Sequence, residues 1–217
     1  ADLHLDYGAW KRRRTLSGDS LYAWKQIVDL ACGGAHPAGT PLKYVFAGGD
    51  LIDDESPDDF LLHAVFEGLD RLEAADVDFY FVQGQHEMRA GRRHELIGRL
   101  AGQLGLSEVP ASFFGLHPWA THLGPAGVKL PLGRHEEVLV RGLDYQPPDR
   151  VKAALRKLER CDVVLTHQVW RELVKHTGEA SFQDVPFPCE VWTGDYHEHF
   201  IKEVAGPPAL RVLSPGS

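Results

Sequence analysis

The chain has 217 residues, 43% hydrophobic and 25% charged, an ordinary globular composition that reads as one domain over 1–217 with a sizeable core. A formal net charge of −8 argues against a generic nucleic-acid coat, and no apolar run is long enough to span a bilayer. The cysteines Cys32, Cys161 and Cys189 are odd in number and lack a C-x-x-C spacing, so they read as reduced thiols of a cytoplasmic protein.

In chain order, Ala1-Asp2-Leu3-His4 has no strand to carry it, and the chain closes on a turn at Ser214-Pro215-Gly216-Ser217. Both ends read as those of a domain taken from a longer protein. A basic run, Lys11-Arg12-Arg13-Arg14, precedes an amphipathic helix over 17–31 that Gly33-Gly34 ends. A buried strand over 43–46 leads into Ala47-Gly48-Gly49-Asp50-Leu51-Ile52-Asp53. Ser56 as N-cap and Pro57 at the first turn then open a helix over 57–74. The strand over 77–82 ends at Gln83-Gly84-Gln85-His86-Glu87, and a weaker helix follows over 92–103. Residues 105–135 carry only scattered short strands. Further on, a strand over 137–141 and a helix over 149–160 lead to a strand over 162–166 that ends at His167. Another, over 190–193, ends at Gly194-Asp195-Tyr196-His197. Segments 200–204 and 210–213 form a closing hairpin.

Strands alternating with helices argue for an α/β fold. Asp50, His86, His167 and the pair Asp195/His197 each follow the apolar end of a strand. If those strands are neighbours in one sheet, their tips share an edge, which is where α/β sheets bind ligands. Carboxylates to carry charge and bridge, with imidazoles to tune geometry, are the donors a dinuclear metal site needs. Two divalent cations roughly 3.5–4 Å apart clamp a phosphodiester and activate water.

The ordered series Asp-Leu-His, Gly-Gly-Asp-Leu-Ile-Asp, Gly-Gln-His-Glu, Leu-Thr-His-Gln and Gly-Asp-Tyr-His resembles that of the calcineurin-like metallophosphoesterases. Within them the chain is similar to the SbcD-type DNA repair exonucleases. Asp2-Leu3-His4-Leu5, Gly49-Asp50-Leu51-Ile52-Asp53, Arg141-Gly142-Leu143-Asp144-Tyr145, His167-Gln168 and the terminal Ser-Pro-Gly-Ser carry that likeness. The resemblance implies a layered α/β/β/α sandwich with mixed sheets. It implies that Asp2, His4 and His197 hold a first metal, that Asp50 bridges both, and that Gln85, His167 and Asp195 face the second. His86 would bind no metal and would instead position or protonate the leaving oxygen of the scissile phosphate. The cofactors implied are two divalent ions, manganese first, with magnesium, iron or zinc in other branches. The implied partners are a DNA substrate, an SMC-like ATPase of the SbcC type and a second copy in a homodimer, with no membrane.

Two positions depart from the family series. Gln85 stands for Asn, and Asp195 for the first His of G-H-x-H; a register using His197-Glu198-His199 as the His-x-His pair remains open. Lys11, Arg12, Arg13 and Arg14, with Arg89, Arg92 and Arg93, follow metal-site loops closely enough to reach a DNA backbone. Asp53 reads either as a carboxylate that orients a ligand or as a helix-leading acid. The remaining histidines, His117 and His122 among them, read as surface or core groups without an ordered partner, and the tryptophans as packing. Three functions compete: a two-metal phosphodiesterase on DNA, a phosphoesterase on nucleotides or other small esters, and a non-catalytic scaffold of the same fold.

Overall fold

A computed structural model describes residues 3–5, 19–33, 42–52, 57–88, 92–108, 110, 112–133, 135–174, 178–196, 198–204 and 209–216. The chain is an α/β sandwich of two stacked sheets. The first has three parallel strands in the order β1 (Tyr44–Ala47), β2 (Asp78–Phe81), β3 (Ala120–His122). The second has six, in the order β4 (Val128–Leu132), β5 (Glu136–Leu143), β6 (Val163–Thr166), β7 (Cys189–Thr193), β9 (Leu210–Pro215), β8 (His199–Val204). β5, β6, β7 and β9 run parallel, while β4 and β8 close the two edges antiparallel. The expected closing hairpin is the β8–β9 pair.

Period-two alternation assigns the layers. On β2, Phe79 and Phe81 face an outer core with Trp24, Val28, Leu61, Val65, Leu69, Leu72, Phe113 and Phe114. Tyr80 and Val82 face inward onto Val140, Val163 and Leu165 of the second sheet. Phe46 meets Trp192 across this inner layer, ring centroids 5.0 Å apart. On β6, Val164 turns the other way, toward Val151, Leu155, Trp170, Phe182 and Val191. Each fully buried large apolar side chain contributes about 1.5–3 kcal/mol, so the inner layer holds the sheets face to face while the two outer layers hold the flanking elements onto them.

Three helices, α1 (Asp19–Cys32), α2 (Asp59–Ala74) and α3 (Arg92–Gln103), lie on the outer side of the first sheet, and the short α4 (Val151–Arg156) covers the second. α3 spans the residues its periodicity gives. α2 is capped differently from the sequence reading: Asp58, in extended backbone, accepts the Leu61 N–H at 2.8 Å, so Asp58 rather than Ser56 is the N-cap. α4 is shorter than its pattern. Pro147 starts a turn, accepting the N–H groups of Arg150 and Val151, before the helix settles at Val151. The tips do not share the edge of one sheet: β1 and β2 belong to one sheet, β6 and β7 to the other, as a layered sandwich with two sheets requires. Their C-terminal tips still converge, because the stacked sheets end at the same side.

The three cysteines are free, as their spacing indicates. Burial pushes the Cys161 thiol up to about 11 and Cys189 to about 12, so both are poor nucleophiles. Among the described residues no helix is long and apolar enough to cross a membrane.

Candidate metal centre

The centre is built on Asp50, 1% exposed, in the glycine turn that ends β1. Its backbone is left-handed at φ 48°, as is that of His4 at φ 42° and Asp195 at φ 66°; the remaining left-handed non-glycine residue described is Asp76, in the turn after α2. Such conformations cost about 1–3 kcal/mol each and persist where the surroundings impose them. Here three of the four fall on candidate ligands.

Glycines make the close approach possible. Gly49 sits at φ 96°, and a Cβ there would lie 2.7 Å from both His167 Nδ1 and the Gly84 nitrogen. A Cβ on Gly84 would collide with the Asp50 carboxylate.

Four groups gather round that carboxylate. The His86 N–H donates to Asp50 Oδ1 at 2.9 Å, and His86 Nε2 lies 3.8 Å from Oδ2. His167 Nε2, wholly buried, lies 3.2 Å from the same Oδ2 and 3.8 Å from Asp195 Oδ1. His4 arrives on segment 3–5, which pairs with the tail of β1: the His4 N–H donates to the Asp50 carbonyl at 3.0 Å and Leu5 bridges to Ile52. One donor atom each of His4, Asp50 and His86 lie within 4.8 Å of one another. Burial alone would raise the Asp50 carboxyl, but His167, when its ring carries both protons, and His86 outweigh it and hold it below its ordinary value.

The donor chemistry fits a divalent cation. His167 Nδ1 is 2.6 Å from the Gly48 carbonyl, which can only accept, so Nδ1 carries the proton. In the neutral ring Nε2 then presents its lone pair to two carboxylates, Asp50 and Asp195. Lone pair and carboxylates repel unless positive charge lies between them, as a proton or a metal ion. A backbone carbonyl fixing the far nitrogen of a ligating histidine is the usual supporting arrangement for such a site.

Of the expected site residues, the structure brings together His4, Asp50, His86, His167 and Asp195. Gln85 occupies the same turn as His86, half-buried. Arg92 and Arg93 form the first turn of α3. Asp2, Lys11, Arg12, Arg13, Arg14, Asp53, Arg89 and His197 lie outside the described residues.

Three contributors escaped the sequence reading. Glu87, 6% exposed, accepts four backbone N–H groups: Asp50 at 2.9 Å, Leu51 at 2.5 Å, Ile52 at 3.3 Å and Gly84 at 2.7 Å. Burial and the Asp50 charge push its carboxyl upward, while the Gly84 and Leu51 amides pull the other way. Both oxygens face only donors among the described partners, the pattern of an ionised carboxylate. His122 is not partnerless: its Nε2 donates to Asp144 at 2.9 and 3.1 Å, which raises the imidazole above its ordinary value. Tyr145 donates its hydroxyl to Glu179 at 3.1 Å. Burial, Glu179, and the charges of Asp195 and Asp50 push that phenol up to about 12, so it stays protonated beside the centre. A single-sequence signal existed for Glu87 in Gly-Gln-His-Glu and for Tyr145 in Arg141-Gly142-Leu143-Asp144-Tyr145, though neither motif assigns that residue a role; His122 had none.

A second cluster, Asp70, Glu73 and His117, also holds ligand atoms within 4.8 Å. His117 is not partnerless either. Its Nδ1 accepts the Trp119 N–H at 3.2 Å and its Nε2 donates to Asp70 at 3.0 Å. With both ring nitrogens used and both acids exposed, it ties α2 to the 117–119 turn.

The sequence matches no family model and no curated protein. Among solved structures the chain is similar to the protein TT1561 of Thermus thermophilus, at 16% identity, over 92% of this chain and 85% of that one, with a TM-score of 0.45. A likeness at that level transfers no chemistry, and the functional reading stands on the residues of this chain.

Proposed function

We propose that the chain is a two-metal phosphodiesterase acting on DNA, a nuclease of the SbcD type. One observation carries the reading. The buried Asp50 carboxylate is shared between imidazoles from both sheets, His4 and His86 on one side and His167 with Asp195 on the other. A bridging carboxylate between two donor sets is what a pair of divalent cations requires.

His4 and Asp50, with Asp2 and His197, would hold the first cation; Asp50, His167, Asp195 and Gln85 would hold the second. When bound, the pair supplies charge to clamp a phosphodiester and to activate the attacking water. The chain's own residues orient and shield. Glu87 fixes the Asp50 backbone and Gly48 fixes the His167 tautomer, and His86 would position or protonate the leaving oxygen. The Lys11–Arg14 run, Arg89, Arg92 and Arg93 would meet the DNA backbone. The harder Asp195 donor favours manganese or magnesium over zinc.

The deciding experiment is manganese-dependent hydrolysis of DNA ends set against mononucleotides. Turnover of DNA, with affinity that falls as salt rises by about one unit of log–log slope per phosphate contact, supports the reading. Neutralising either basic cluster is expected to flatten that slope. Turnover of mononucleotides alone moves the protein to the small-ester class, and no turnover with bound metal makes it a scaffold.

Asp195 gives a sharper test of the second cation. Its carboxylate adds a negative charge where an imidazole would be neutral, and charged ligands make the cation a weaker Lewis acid. Asp195→His is expected to move the pH–rate profile to lower pH and to improve activity with zinc relative to manganese. An unchanged profile, with one manganese per chain in anomalous scattering, would mean that Asp195 does not serve a second cation.

A further inference from the structure

The two halves of the centre ride on different sheets. Gln85 and His86 follow β2 in the first; His167 and Asp195 follow β6 and β7 in the second. A catalytic constellation has to be held to within ~0.5 Å, so one half must be registered against the other.

Gln83 is where this happens. It is 5% exposed and is the second residue after β2. Its N–H donates to Asp144 Oδ1 at 2.8 Å, and its carbonyl accepts the Tyr145 N–H at 2.8 Å. Both backbone polar groups of one residue therefore end on consecutive residues at the tip of β5, in the other sheet. Asp144 is in turn gripped by His122 Nε2, at the last residue of β3, through both carboxylate oxygens. Three strand tips from two sheets meet at one carboxylate.

Asp144 makes none of the contacts described around Asp50, and Gln83 stands between it and the ligand-bearing turn. We infer that Asp144 is a positioning residue: its carboxylate, oriented by His122, anchors Gln83 and so sets how far Gln85 and His86 reach toward the metal centre. The inference rests on the two-metal reading for what the loop does and on the hydrogen bonds alone for how the loop is held. It also bears on Gln85. A side chain one methylene longer than Asn needs its loop set back to present the same oxygen, and the clamp fixes that setting.

Manganese titration, phosphodiester turnover and hydrogen exchange on Asp144→Ala, Asp144→Asn and His122→Ala test this. Asp144→Ala is expected to weaken the second manganese and lower kcat by about 10–100-fold, with KM near that of the wild type. Asp144→Asn keeps an oxygen for the Gln83 N–H and should recover most of both. His122→Ala frees the carboxylate to rotate and should fall between. Wild-type metal affinity and kcat in Asp144→Ala would overturn the inference, as would an Asp144→Asn protein as impaired as Asp144→Ala. Should Asp144→Ala not fold, His122→Ala decides: a loss of about threefold or more supports the clamp, and wild-type behaviour overturns it. A wild-type protein that hydrolyses no phosphodiester defeats the functional reading but not the clamp. The clamp is then read from the Gln83 amide, whose protection should drop in Asp144→Ala and hold in Asp144→Asn; equal protection in both overturns it.

Discussion

Asp50→Ala is expected to bind neither cation and to show background activity only. The carboxylate is buried, and its Oδ2 is the atom that both His86 Nε2 and His167 Nε2 approach, at 3.8 and 3.2 Å. Removing it leaves imidazoles from the two sheets without the carboxylate they share, since the imidazole described against Asp195 is that of His167. Asp50→Asn separates charge from shape, since its amide oxygen can still accept the His86 N–H that Asp50 Oδ1 accepts at 2.9 Å. An inactive, folded Asp50→Asn would show that the bridging charge matters and not the turn. His86→Ala is the companion experiment. A general acid is worth about 10²–10⁴-fold, and a loss of that size with two manganese ions still bound is the expected result. The test has force because His86 offers a donor within 4.8 Å of those of His4 and Asp50, close enough to be a ligand itself. If His86→Ala loses metal as well as activity, His86 belongs to the first coordination set and another group must supply the proton.

What the sequence showed was the strand tips. Asp50, His86, His167 and Asp195 each follow a short apolar run bounded by turn residues, and such a run reads as a buried strand whatever the sheet order. The sheet order was not legible. Nothing in Tyr44–Ala47 or Val163–Thr166 says which neighbour each chooses, because both are short runs of apolar residues that suit either sheet. Convergence came from stacking, with Phe46 against Trp192 and Tyr80 over the same inner layer. The same limit hid the carboxylate partners of His117 and His122. Each partner lies on an element remote in sequence, 47 and 22 residues away. The Asp58 cap was within reach of the sequence. Asp59, Asp58 and Ser56 all suit a helix start, and only the extended backbone at Asp58 selects among them.

Glu87→Ala is expected to be the most destabilising single change among the residues described around the centre, by about 3–5 kcal/mol. Hydrogen bonds to a charged acceptor contribute about 1.5–3 kcal/mol each, and this side chain accepts four from buried amides. Three of the donors are consecutive, Asp50, Leu51 and Ile52, and they stand in a turn that Gly49 and Asp50 carry into left-handed backbone. Without Glu87 those N–H groups lose their acceptor in the interior, and the strained conformation that aims the Asp50 carboxylate loses its support. Glu87→Gln separates charge from shape here too. Oε1 accepts from Leu51 and Ile52, Oε2 from Asp50 and Gly84, so whichever way the amide turns, its NH₂ points at two donors. Gln is therefore expected to rescue little, and urea unfolding of the metal-free proteins measures both variants without reference to activity. A Glu87→Ala protein within about 1 kcal/mol of the wild type would mean that water replaces the carboxylate, and that the Asp50 turn is held by the glycines alone.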